Sequence, residues 1–213
     1  DADDEAKLWL EGVTETMYTA FNRSNFQQEI FELYHDLITF GTAAMFIEED
    51  QSDLLKFSTR HINEIYVTEN DKGRIDTVYR KFKITLRAAA QQFGGGLSEE
   101  AKRRVDKDPF DEIDILHAVY PRQDFNPTKK DKKNMEFESV YVEYKNGNEL
   151  SVGGFVEFPF VVPRYLKASH EIYGRSPAMT ALPDVKMLNE MSKTTIKAAQ
   201  KQVDPPLLVP DDG

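Results

Sequence analysis

Histidine is the first side chain of this sequence to test for metal chemistry, because two imidazoles that bind one ion often lie close together in the chain. The four histidines stand at positions 35, 61, 117 and 170. None of these spacings is the i,i+4 or His-x-His arrangement that places two imidazoles on one ion. The sequence contains no cysteine, which excludes disulfides and thiolate zinc sites. We therefore expect neither a metal nor a cofactor.

Two other stretches have residue types that could bind an ion or a phosphate. The "FGGGLSEE" segment at 93–100 has three glycines but lacks the Lys-Ser/Thr that a phosphate-binding loop needs, so it more often ends a helix. The acidic "EEDQSD" at 48–53 lacks the alternating oxygen ligands and the distal glutamate of a calcium loop, which favours a solvated turn. There is no nucleophile motif of the Gly-x-Ser-x-Gly type. The sequence predicts that the chain is not an enzyme.

Charge and hydropathy limit the function further. The 213 residues include 27 basic and 37 acidic side chains, a net charge of -10. Such a chain repels a polyanion at long range, so any contact with DNA must be local. No apolar run approaches the length of a membrane span, and we expect no membrane partner.

Helices are predicted at the start of the chain and strands in its middle. The apolar residues of 2–21 and of 26–40 recur at steps of three and four, with Ser24 or Asn25 as a cap and Gly41 as a stop. Short β-branched and aromatic runs follow: "AAMFIEED", "LLKFSTR", "INEIYVTEN", "TVYRKFKI", "EIDILHAVYPR", "FESVYVEY" and "FPFVVPRYL". Gly73 and "KNGN" predict hairpins, and Thr85 and Ser98 predict the caps of two short helices. The fold class is therefore α+β, with a mixed or antiparallel sheet.

A long helix is predicted near the end of the sequence. Ser176 is a natural N-cap and Pro177 a natural first helical residue. Pro183 removes a backbone donor and should kink or restart the helix. An apolar stripe is predicted on it, and its members are Met179, Leu182, Val185, Leu188, Met191, Thr195 and Ala198.

Three lysines share one face of this predicted helix: Lys193, Lys197 and Lys201. Lysines in the last turns of a helix complement its dipole and solubilise an exposed face. Alternatively, symmetry could multiply each lysine into a ring of positive charge, close to DNA or against acidic residues of an adjacent subunit. Both interpretations remain open at this point.

The sequence closely resembles the portal, or head-to-tail connecting, proteins of short-tailed bacteriophages over nearly its whole length. The resemblance is carried by "FNRSNFQQEIFELYHDLITFGTAAMFIEED", "ILHAVYPR", "NMEFESVYVE", "EFPFVVPRY" and "YGRSPAMTALPDVKMLNEMSKTTIKAAQKQVDPPLLVPDDG". The last block is the specific part, with Gly-Arg-Ser-Pro at 174–177 before the helix and Val-Asp-Pro-Pro-Leu-Leu-Val-Pro-Asp at 203–211 after it.

This resemblance implies a subunit of a ring, typically a dodecamer, at one vertex of the phage capsid. It implies that residues 1–175 form an α/β wing, 176–203 a projecting stem helix and 204–213 the beginning of a clip, with further chain on both sides. It also implies assembly in the host bacterial cytoplasm and a final location in the virion. The implied partners are other copies of the chain, the terminase motor, tail or adaptor proteins, capsid and scaffold proteins, and double-stranded DNA that passes without sequence specificity.

The apolar run Leu207, Leu208 and Val209 follows two prolines and cannot continue the helix. As an edge strand it would expose unpaired backbone groups, so we expect a strand of this chain or of the next subunit to cover it. These residues are the candidate clip strand. Two other functional classes stay open at this point: a nucleic-acid-processing enzyme or packaging-motor component, and a stand-alone adaptor.

Overall fold

Two antiparallel sheets form the body of the protein in the computed structural model, which describes residues 2–126, 128–129 and 131–205. The helices are α1 (Ala2–Arg23), α2 (Phe26–Phe40), α3 (Leu86–Phe93), α4 (Glu99–Lys107) and α5 (Pro177–Val203). The strands are β1 (Ala44–Asp50), β2 (Leu54–Arg60), β3 (Ile65–Glu69), β4 (Ile75–Thr85), β5 (Glu112–Pro121), β6 (Phe137–Glu143), β7 (Glu149–Phe155) and β8 (Phe160–Val161). The predicted α+β class is confirmed, and every strand pairing among the described residues is antiparallel.

The larger sheet has the order β3-β4-β5-β6-β7, so each strand pairs with the next one along the chain. Alternation along β5 places Ile113, Ile115 and Val119 on the buried face, as expected for an antiparallel sheet with one face on the core. The Gly73 turn between β3 and β4 has φ of +70° and the Gly147 turn between β6 and β7 has φ of +69°. Both predicted hairpins are therefore confirmed, because glycine adopts this backbone region without steric cost.

The smaller sheet has the order β2-β1-β8, and α2 packs beside β2. Asn25 accepts a hydrogen bond from the Phe57 amide at 2.9 Å and donates one to the Phe57 carbonyl at 2.8 Å. Glu29 accepts from the Thr59 amide at 2.5 Å. Side chains at the N-cap and in the first turn of α2 thus satisfy backbone groups of β2, which protects this edge strand.

Two short helices cover one end of the larger sheet. Thr85 and Ser98 accept hydrogen bonds from the amides of Ala88 and Ala101, as predicted for N-caps. The Ser98 amide and hydroxyl in turn donate to Glu143 at the end of β6, at 2.7 and 2.8 Å. This buried carboxylate therefore fixes the start of α4 against the sheet.

Three predicted features differ in detail from the structure. The "FPFVVPRYL" run forms only the two-residue strand β8, because Pro159 and Pro163 flank it and lack backbone donors. The predicted helix does not restart at Pro183, since α5 is one helix from Pro177 to Val203. Asn25 is the N-cap of α2 by position, but its side chain makes no cap hydrogen bond because it binds Phe57 instead.

Candidate functional site

The base of α5 is attached to the end of α2. The Ser176 hydroxyl caps α5 by accepting from the Met179 amide at 2.9 Å, and it donates to the Thr39 carbonyl at 2.8 Å. The Gly174 amide donates to the Thr42 hydroxyl at 2.7 Å. Ser176 and Thr42 are both buried. These polar contacts fix where α5 leaves the body.

The segment before α5 is also held to the hairpin of β3 and β4. Glu69 pairs with Arg164 and, at 2.5 Å, with Lys167. Hydrogen bonds from Lys167 and Arg164 lower the pKa of the Glu69 carboxyl. The Tyr173 hydroxyl accepts from the Val67 amide at 3.2 Å, on the outer edge of β3. The segment thus connects α5 to the larger sheet as well.

Beyond this base, α5 exposes apolar side chains along its length, and none of its residues is buried. The exposed large apolar residues of α5 are Met179, Leu182, Val185, Met187, Leu188, Met191, Ile196 and Val203. The predicted stripe from Met179 to Ala198 is broad, because steps of three residues rotate the position around the helix and spread it over more than half of the circumference. A helix of this kind is usually buried against partners.

The lysine face is exposed in the structure. Lys193, Lys197 and Lys201 all lie on the surface, one turn apart on α5. Lys193 forms an ion pair with Glu190 at 3.2 Å. Within the described part of the chain, Lys197 and Lys201 form no ion pair. The candidate clip strand Leu207, Leu208 and Val209 lies outside the described residues.

A second exposed apolar surface lies on α1, which has no buried residue among those described. Trp9, Leu10 and Met17 are exposed, and α1 meets α2 at the stacked rings of Phe21 and Phe26, 4.6 Å apart. The helix predicted from the spacing of the apolar residues in 2–21 is confirmed as α1.

His117 forms a buried polar cluster that the spacing of the histidines did not indicate. Its ring stacks on Tyr141 at 3.8 Å and its Nε2 lies 2.9 Å from the Ser139 hydroxyl. Burial, with the nearby positive charges of Arg80 and Arg60, lowers the pKa of His117 to about 3. Burial also raises the pKa of Tyr141 to about 12. Both side chains are therefore neutral near pH 7. The alternation of β5 could have indicated this burial, because His117 lies between Ile115 and Val119 on the inward face of the strand.

In the part of the chain that the structure describes, no group of three or more histidine and acidic side chains is arranged to hold a metal ion. No described helix is both long and apolar enough to cross a membrane.

The family model for the bacteriophage head to tail connecting protein matches residues 1–212. This chain belongs to that family. The portal protein of Salmonella phage epsilon15 is 32% identical to it over 209 residues, which cover 96% of this chain and 38% of that protein. The probable portal protein of Bordetella phage BPP-1 is 31% identical over 214 residues, which cover 99% of this chain and 39% of that protein.

The resemblance to head-to-tail connecting proteins seen in the sequence is thus confirmed. The chain spans well under half of the length of the two portal proteins it matches. The Gly-Arg-Ser-Pro block at 174–177 has a structural role in this member of the family, because Gly174 and Ser176 attach α5 to the body. The candidate site is therefore α5 itself, a helix that is attached to the body at its base and exposes apolar and basic surfaces.

Proposed function

We propose that this chain is part of a structural subunit of a phage portal, in which twelve copies form a ring at one capsid vertex. In this proposal DNA passes through the ring during packaging and ejection without sequence-specific contacts. The terminase motor, tail or adaptor proteins, and capsid and scaffold proteins bind the ring. The protein has no catalytic role, assembles in the host bacterial cytoplasm and ends in the virion.

The observation that carries this proposal is the exposed apolar surface of α5. Leu182 and Val185 are each 47% exposed and Ile196 is 59% exposed, although α5 is attached firmly at Ser176. Apolar surface of this extent is stabilised when partners cover it, and identical copies around a symmetry axis place the same partner beside every α5. The named portal proteins among its relatives support the same role.

The proposed domain organisation has the same boundaries as the sequence predicted. Residues 1–175 form the wing, 176–203 the stem helix and 204–213 the beginning of the clip. The body of two sheets and the change to a single exposed helix after Ser176 support the first boundary. The second boundary is supported by the end of α5 at Val203.

Native mass spectrometry and electron microscopy of the purified full-length subunit, of which this chain is proposed to be a part, test this function. We expect closed rings of one size in the wild type and loss of the rings in Val185→Asp, which places a charge on the exposed apolar surface of α5. Val156→Asp is the matched control, because Val156 is 67% exposed and lies outside α5. A wild-type protein that stays monomeric at micromolar concentration would contradict the proposal. Equal ring formation by both variants would show that the α5 surface does not assemble the ring.

A further inference from the structure

One face of α5 carries heptad spacing along its whole length, with apolar residues at every position except Asn189 and Ser192. Its eight positions alternate at steps of four and three, and they are Ala178, Leu182, Val185, Asn189, Ser192, Ile196, Ala199 and Val203. Such a pattern is typical of helices that pack along each other at a small angle. We call these eight residues the first seam.

A shorter pattern of the same kind lies on the other flank of the lysine face. Its members, at steps of four, three and four, are Met187, Met191, Thr194 and Ala198, and we call them the second seam. At about 100° per residue, the two seams point to different sides of α5. A helix with a seam on each side is suited to two neighbours, and a ring of identical copies brings the first seam of one copy against the second seam of the next.

Asn189 is the polar amide within the first seam. Its side chain is exposed in the isolated chain, but packing between copies would bury it, and a buried amide needs a hydrogen-bond partner. The second seam offers one polar side chain, Thr194, whose hydroxyl donates to the Glu190 carbonyl at 2.8 Å and can accept from the Asn189 amide. A single Asn in a helix seam disfavours every register in which it faces apolar groups only. The pair Asn189 and Thr194 therefore favours one register, in which neighbouring helices are offset along the helix axis by five residues, or about 7.5 Å. In a closed ring this offset requires α5 to be inclined to the ring axis, because copies related by rotation alone lie at equal heights along that axis.

The charges that border the two seams favour almost the same register. Lys186 borders the first seam and Glu190 borders the second seam, both on the side of the lysine face. Lys186 lies three residues before Asn189, and Glu190 lies four residues before Thr194. When Asn189 faces Thr194 of the next copy, Lys186 lies within about one residue of the height of that copy's Glu190. Two polar pairs of different chemistry thus agree, and Glu190 would face Lys186 of the neighbour in addition to Lys193 of its own helix, at 3.2 Å.

We propose that Asn189 sets the register between the α5 helices of neighbouring copies by binding Thr194 of the next copy, with Lys186 beside that copy's Glu190. The inference rests on the proposed ring and adds to it the residues that decide how neighbours align. A uniform alignment at every contact gives every ring the same number of subunits. Asn189 is then a determinant of ring size, and it lowers the stability of the assembly compared with an apolar residue at the same position.

Disulfide cross-linking tests the alignment. This sequence contains no cysteine, so it offers the introduced thiols no competing partner. In a double variant Asn189→Cys and Thr194→Cys, the two thiols lie on different sides of one helix, so an oxidised bond must join two copies. We expect a ladder of covalent oligomers on a non-reducing gel. Pairing Asn189→Cys with Met191→Cys or with Ala198→Cys shifts the second thiol by about one turn, and these variants should give little ladder. Wild-type-sized rings that cross-link through position 191 or 198, or through none of the three, would overturn the register.

The number of subunits in the ring tests whether Asn189 determines ring size. We expect Asn189→Leu to give rings of at least two sizes by native mass spectrometry, with a higher dissociation temperature than the wild type. Asn22→Leu, the same change at an exposed position of α1, should keep one size. Rings of a single size in Asn189→Leu, its failure to assemble, or mixed sizes in both variants would each contradict the inference. A wild type without rings would instead overturn the proposed function, so the two failures are distinguishable.

Discussion

The backbones of Gly41 and Gly174 approach each other so closely that neither residue has room for a side chain. A Cβ atom built on Gly41 would lie 2.5 Å from the Gly174 carbonyl oxygen, and one built on Gly174 would collide with the Gly41 carbonyl oxygen. Gly41 also has φ of +79° at the end of α2. The approach is possible only because both residues are glycine, and it allows the Gly174 amide to reach Thr42.

Substitution of either glycine should therefore detach the base of α5. We expect Gly174→Ala to lower the free energy of unfolding by roughly 2–3 kcal/mol, because backbone atoms cannot move away as a flexible side chain could. Urea denaturation measures this change. Gly12→Ala is the control, since Gly12 has nothing within 4 Å and lies inside α1. It should be neutral or stabilising by up to about 1 kcal/mol. Equal stability of Gly174→Ala and the wild type would show that this contact is not tight in solution.

A second prediction concerns Glu143, which is 3% exposed. Its oxygens accept hydrogen bonds from the amide and hydroxyl of Ser98 and from Asn146 at 2.7 Å. Glu143→Gln turns one acceptor into a donor that faces other donors, so we expect a loss of about 1–3 kcal/mol in the free energy of unfolding. Hydrogen exchange at the start of α4 should increase in the same variant.

The control for this change is Glu149→Gln, because Glu149 is exposed at the start of β7. It should leave both the unfolding free energy and the exchange of α4 unchanged. Equal unfolding free energies and equal hydrogen exchange of α4 in the two variants would show that Glu143 does not attach α4 to the sheet.

Local signals account for the part of this fold that the sequence could predict. Thr85, Ser98 and Ser176 are predictable as caps because each binds an amide three residues ahead, a contact made within one stretch of chain. The hairpins are predictable for a similar reason, since glycine in a short turn is a local requirement. The lysine face of α5 follows directly from helical spacing.

Contacts between distant residues account for what could not be predicted. Asn25 has the residue type of a cap, but the Phe57 backbone, 32 residues away, takes its side chain. The role of Gly174 depends on Gly41, which lies far away in the sequence. The burial of His117 depends on Tyr141 and Phe46 from two other strands. Such pairings become visible only when the strands and helices are placed in space.

A third prediction follows from the buried state of His117. The pKa of His117 is about 3 in the folded protein and close to its ordinary value of 6.5 in the unfolded chain. Between these values the unfolded chain binds the proton and the folded protein does not. The contribution of His117 to stability is thus complete above pH 6.5 and falls as the pH decreases. From pH 7 to pH 5 we expect it to lower the free energy of unfolding by about 2 kcal/mol.

The comparison of two variants isolates this effect from the titration of carboxylates. His117→Gln should be less stable than the wild type at pH 7, because it loses the stack on Tyr141, but its stability should fall less from pH 7 to pH 5. Ser139→Ala removes the hydrogen-bond partner of His117 and keeps the imidazole, so its pH dependence should stay close to that of the wild type. Parallel pH profiles of His117→Gln and the wild type would contradict the assigned protonation state.

The last prediction separates three roles for the lysine face of α5: solubility, contact between subunits and contact with DNA. Lys193 is paired with Glu190 within the chain, whereas Lys197 is exposed and lies outside the last turn, whose basic residue is Lys201. A single exposed charge contributes less than about 1 kcal/mol to stability. If Lys197 serves only solubility and the helix dipole, Lys197→Glu should leave both ring formation and DNA packaging unchanged. Lys107→Glu is the control, because Lys107 lies in the last turn of α4.

The ring, however, multiplies each charge by the number of subunits, so a change of Lys197 should have a measurable effect if this residue contacts DNA or a neighbouring subunit. Assembly and packaging distinguish these two roles. We expect Lys197→Glu to assemble normally, since Lys197 lies outside both seams of α5, and to slow packaging more at low salt than at high salt. Salt screens exposed charges over about 10 Å at 0.1 M, and contacts between lysines and DNA phosphates weaken in the same way. Failure of Lys197→Glu to form rings would place Lys197 between subunits instead. Normal rings and normal packaging at every salt concentration would leave Lys197 with the role of an exposed, solubilising charge.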